Sequence, residues 1–172
     1  MKYTFALVLS LLLFVSCQQQ KIGYVNNGDV INELLEKKDI EKKYQDKDKA
    51  FQAKRDSMVN AFQMEIKEAQ VKIKKMSPKA IQELSMEFQK KEELLGQKIQ
   101  TEQQQLEKAF QSDIDSLIVK VKNHIANYGK QNGYDYILGT SDAAASVLYG
   151  KDEMNLTETI RKELDDAYKA KK

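Results

Sequence analysis

The residues able to do chemistry in this chain are few and scattered. His124 is its one histidine and Cys17 its one cysteine. The imidazole falls on a helical stretch beside Ile125, with no second histidine, no cysteine and no fixed carboxylate pair in its neighbourhood. A catalytic triad or a zinc site needs several such groups converging, and neither a phosphate-cradling glycine loop nor a metal-ligand spacing occurs. His124 therefore reads as an ordinary helix residue, the chain as a non-enzyme, and no cofactor is expected. What does cluster is charge: Lys67, Lys72, Lys74, Lys75 and Lys79 gather with only Glu68 near them. Such a knot suits an anionic client or an anionic lipid surface, and it suits a solvated helix end equally well. A net charge of only +2 gives no sign of a nucleic-acid partner.

Cys17 takes its meaning from what precedes it. In MKYTFALVLSLLLFVSCQQQ, Lys2 supplies a positive start and Thr4 to Val15 an apolar run too short to span a bilayer comfortably. Residues 1–16 read as an export signal. The context Phe14-Val15-Ser16-Cys17 resembles a bacterial lipobox, in which the cysteine becomes the acylated first residue of the mature chain. A lone thiol in an exported chain has no internal disulfide partner, so Cys17 is the expected lipid attachment site. Gln18 to Gln20 then leave a tether of about 10 to 14 Å.

Charged residues make up 31% of the sequence, too many for one large compact core at this length, so an elongated or oligomeric form is expected. KIGYVN, Lys21 to Asn26, reads as a strand, and Asn27 with Asp29 as a helix start. Apolar positions from Ile40 to Met76, and again from Ile81 to Tyr128, recur every three, four or seven residues. Their mean step of about 3.6 predicts nearly straight helices. Asp48 and Arg55 interrupt the first stripe.

The one proline, Pro78, separates the two stripes. Ser77-Pro78 fits an N-cap followed by the first helical position, where a missing N–H is harmless. The residue before proline is pushed out of the α region, so the incoming helix should stop near Met76. A kink in one continuous helix is the competing reading, but the near-equal lengths on either side favour an antiparallel hairpin. Sparse stripes make its arms flexible, and Met58, Phe62, Met64, Met86 and Phe88 are candidates for contact with a bound chain, since methionine is adaptable. Packing within the hairpin is the plainer role for each.

Gly129 and Gly133 should end the second arm. Tyr134 to Leu138 and Ala145 to Tyr149 read as strands, and Asn155 to Glu158 has capping-box spacing before a helix carrying Leu156, Ile160, Leu164 and Tyr168 on one face. The fold class is α+β, mostly α: a hairpin arm over residues 40–128 with its tip at 76–79, on a small body of strands and short helices from residues 17–39 and 129–172.

KIGYVN followed by a helix, the long hairpin, YDYILG, SVLYG and the closing helix entered through MNLTETI together resemble the Skp/OmpH family of periplasmic chaperones, from Lys21 to about Tyr168. The resemblance implies a homotrimer with a central β-body. Its arms would enclose a cavity that holds unfolded outer-membrane proteins without ATP. Two features depart from the family: the apparent lipid anchor and the near-neutral charge. The expected location is the periplasm of a Gram-negative bacterium, tethered to a membrane. A structural coiled-coil envelope lipoprotein is the alternative.

Overall fold

The structure, a computed structural model, describes residues 20–141, 144 and 146–172. The leader and Cys17 lie outside the described residues. In order, the elements are β1 (Ile22–Asn26), α1 (Asn27–Glu33), α2 (Leu35–Ile73), α3 (Pro78–Gln131), β2 (Tyr136–Thr140), a 3-10 turn (Asp152–Met154) and α4 (Thr157–Lys169). The chain is mostly helical with one small strand pair. It divides into two compact units, the described part of Met1–Asn32 with Val121–Lys172, and Glu33–Lys120.

In the first unit the two ends of the chain meet. β1 and β2 pair in parallel, from Ile22 opposite Tyr136 to Asn26 opposite Thr140. Parallel strands cannot be joined by a tight turn and need a long crossover, which here is everything from α1 through α3. Along the other side of β1, the Leu156 N–H donates to the Tyr24 carbonyl at 2.8 Å. The Asn26 N–H donates to Thr157 Oγ1 at 3.0 Å, so the end of β1 is tied to the start of α4. Val25, Val30, Val121, Leu156, Ile160 and Leu164 are buried. Gly23 is required by close approach, because a Cβ there would sit 2.7 Å from Leu156 Cδ1.

Several local expectations shift. Asn26, not Asn27, caps α1: its Oδ1 accepts from the Gly28 and Asp29 N–H groups at 3.0 and 3.2 Å. Only Gly133 ends α3. With φ +67° it occupies the left-handed position, and the Tyr134 N–H returns to the Gly129 carbonyl at 2.9 Å. Gly129 stays helical, and a Cβ on it would press on Ile137 at 3.2 Å. The turn takes up Tyr134 and Asp135, so β2 begins two residues later than the sequence suggested. No strand forms at Ser146 to Tyr149; the segment is irregular, with Leu148 91% and Tyr149 86% exposed. At α4, Asn155 Oδ1 accepts from the Thr157 N–H at 3.0 Å, but Glu158 pairs with Arg161 instead of reaching back. That guanidinium holds the Glu158 carboxyl below its ordinary range, chiefly by hydrogen bonding.

The second unit is an antiparallel pair of helices. α2 stops at Ile73, Lys74 and Lys75 form the turn, and Pro78 opens α3, where the Ala80 N–H reaches Ser77 Oγ at 3.4 Å. Three ion pairs fix the register: Lys43 with Asp113 at 2.8 Å, Lys54 with Glu102 at 2.8 Å and Lys91 with Glu65 at 3.0 Å. Their sequence separations of 70, 48 and 26 residues are all centred on Pro78. On each arm the partners recur every 11 residues. The apolar stripe does the same, through Ile40, Phe51, Phe62 and Ile73 on one arm and Leu84, Leu95, Leu106 and Leu117 on the other. Eleven residues are three turns of about 3.67, close to the relaxed helix, so the repeat asks for no left-handed winding. Tyr44 meets Phe110 edge-on at 5.2 Å, and its hydroxyl donates to Asp113 at 3.0 Å. α1 and α2 are separated at Leu34, whose ψ of 136° is extended, a break no glycine or proline announces.

Candidate functional site

The five apolar candidates divide by the face they occupy. Phe62 and Phe88 are brought together, ring centres 5.9 Å apart, and Met58 is half-buried in the hairpin. Each helical residue advances about 100°, so a position two removed from an inward phenylalanine points away. Met64 and Met86 stand two positions from Phe62 and Phe88 and are 57% and 55% exposed. Val71 and Leu94 are likewise exposed on the hairpin. Charged side chains separate these residues, so the surface offers isolated adaptable contacts and not one deep groove.

Lys67, Lys72, Lys74, Lys75 and Lys79 are all exposed, and none makes an ion pair with another described residue. The end of α2 and the turn therefore present several ammonium groups together. Lys72 is in the last turn of α2, where the helix dipole favours a cation. By contrast Lys91 is engaged. Hydrogen bonds to Glu65 and then Glu87 raise its pKa, and its ammonium lies 5.7 Å from the Phe88 ring centre.

His124 has one partner that sequence reasoning missed. Its Nε2 lies 3.0 Å from Glu163 Oε2, joining α3 to α4 within the first unit. One carboxylate and one imidazole, both partly exposed, make a surface link, and no group of three potential metal ligands occurs among the described residues. No helix among them is long and apolar enough to cross a membrane. In the same unit a cavity of about 380 Å³ runs beside β2, lined by Ile125, Gly129, Tyr134, Ile137 and Leu138 among others. β2 has β1 as its only strand partner among the described residues, and Tyr136 and Leu138 on it are exposed.

A paired-helix hairpin and a body knitted from both chain ends define the architecture. Residues 21–164 match the family described as outer membrane protein (OmpH-like), and the chain belongs to that family. It is 28% identical over 149 residues to the chaperone protein Skp of Vibrio cholerae serotype O1, covering 83% of this chain and 82% of that one. Its fold is similar to the crystal structure of an OmpH-like outer membrane chaperone from Caulobacter crescentus CB15, with a TM-score of 0.74, 15% identity, and 87% of this chain and 86% of that one covered.

Proposed function

We propose that this chain is an ATP-independent holdase of the periplasm that keeps unfolded outer-membrane proteins from aggregating. The observation that carries the reading is the hairpin surface. Exposed Met64, Met86, Val71 and Leu94 are separated by charge, which suits weak contact with many unrelated apolar segments and tight binding to none. Membership of the OmpH-like family supports it, as does the chaperone name of the Vibrio relative. The lysines at positions 67, 72, 74, 75 and 79 give the hairpin end a second, electrostatic mode of contact with anionic segments or lipid.

The working form is a homotrimer. A body with six buried apolar side chains among its described residues is small for a free-standing fold, and the open edge of β2 and the exposed Leu148 and Tyr149 support burial against further copies. Cys17 carries lipid and holds the body against a membrane. Three anchors on one trimer would make release slow.

The test dilutes a denatured β-barrel outer-membrane protein into buffer with and without the purified chain. Suppressed aggregation at a stoichiometric ratio, without nucleotide, is the expected outcome. Unchanged aggregation would make the protein a structural coiled-coil envelope lipoprotein. Mass spectrometry of the mature N-terminus decides the lipid separately.

A further inference from the structure

The thioethers of this chain divide by exposure. Of its six methionines, Met1 lies outside the described residues, Met58, Met76 and Met154 are half-buried, and Met64 and Met86 are exposed. Susceptibility of a methionine to oxidation follows access of the oxidant to its sulfur. The two open thioethers are also the two placed on the client-facing surface of the hairpin.

Their placement separates surface chemistry from packing. Phe62 and Phe88 meet across the hairpin, ring centres 5.9 Å apart. Met64 follows Phe62 by two residues and Met86 precedes Phe88 by two, so both stand at one level, slightly nearer Pro78 than the rings, and point away from them. Their chain neighbours are polar, Gln63 and Glu65 at one site and Ser85 and Glu87 at the other. An oxygen added to either sulfur therefore meets water and polar groups and displaces nothing from the seam between the arms.

We infer that Met64 and Met86 form an oxidation-sensitive pair through which hydrogen peroxide lowers client holding while the hairpin stays folded. In the step at each residue a sulfur lone pair attacks one peroxide oxygen, the O–O bond breaks and an S–O bond forms. The departing hydroxide takes the proton of the transferred hydroxyl and leaves as water, so sulfur loses two electrons and peroxide gains them. A flexible apolar side chain becomes a polar sulfoxide, poorly suited to apolar segments of a client. Val71 and Leu94 are exposed and carry no sulfur, so holding is reduced and not abolished. The inference deepens the client surface proposed above and rests on it.

The test treats the purified chain with hydrogen peroxide, removes the oxidant, and only then adds a denatured β-barrel protein. Peptide masses should show oxygen gained at Met64 and Met86 before Met58, Met76 and Met154. Retention of the client should fall about fivefold, with helicity and oligomer mass unchanged. In a Met64→Leu, Met86→Leu chain, which keeps apolar side chains but has no sulfur at these positions, retention should be the same before and after peroxide. Equal oxidation of all five methionines would overturn the inference, and so would full retention with both sulfoxides formed. A double-leucine chain that loses as much retention as the native one would place the sensitive group elsewhere and overturn it too. An untreated chain that holds no client would instead fail the client reading, and the inference with it.

Discussion

Ile160→Ala probes whether the two ends of the chain share one core. Ile160 is 0% exposed on the face of α4 that packs against β1, between Leu156 and Leu164. Truncating a buried isoleucine to alanine costs about 2 to 5 kcal/mol, the transfer of the lost carbons plus the cavity left behind. Among its described residues the core of this unit contains five other buried apolar side chains, so little can move in to fill the space. With about 3 kcal/mol lost, amides exposed by opening of the unit should exchange roughly 150-fold faster. Peptide-resolved exchange should show this rise together in β1, β2 and α4, although β1 and β2 pair across 114 positions of sequence, as Ile22 with Tyr136. The segment from Lys43 to Ile73 should keep its rates. Acceleration confined to α4, with β1 and β2 as slow as before, would refute the shared core.

Other perturbations reach the hairpin and its surface. Alanine at Phe62 and Phe88, singly and together, should give a coupling of about 0.5 to 1.5 kcal/mol in a double-mutant cycle, since the rings are in contact; a coupling of zero would mean the rings do not pack in solution. Asp113 has its pKa lowered, first by the hydrogen bond from Lys43 and then by that from Tyr44. Its stabilising contribution is therefore complete above the ordinary carboxylate value near 4 and is lost as pH falls through the depressed one. The stability difference between the native chain and Asp113→Asn, followed by denaturant melts, should shrink from pH 6 towards pH 2, and a constant difference would contradict that pairing. Replacing both Met64 and Met86 by serine should weaken retention of an unfolded β-barrel client and leave oligomer mass and helicity unchanged, because both side chains are exposed; undiminished retention would remove them from the client surface.

The readable parts of this fold were those governed by local chemistry. Pro78 marked the start of the returning helix because proline is tolerated at a first helical position and disfavours helix just before it. The apolar face of α4 followed from its spacing. What the sequence hid depended on partners distant along the chain. The break at Leu34 carries no glycine or proline, and β2 was displaced because Gly133, not Gly129, ends α3. Ser146 to Tyr149 has strand composition, but composition alone cannot supply a neighbouring strand to pair with. An averaged apolar step concealed the 11-residue repeat, which becomes plain once Lys43, Lys54 and Glu65 are set against Asp113, Glu102 and Lys91 across Pro78. Of the candidate surface, residue type suggested all five apolar positions. Only the geometry separated exposed Met64 and Met86 from the packed rings of Phe62 and Phe88. The link from His124 to Glu163 joins positions 39 apart and left no sequence signal.

Client holding by an assembled trimer is the central proposal. Light scattering coupled to size exclusion, on the purified chain mixed with a denatured β-barrel protein in the absence of nucleotide, measures that most directly. A soluble particle with the mass of three chains and one client is the predicted result. A free chain eluting apart from precipitated client would contradict it.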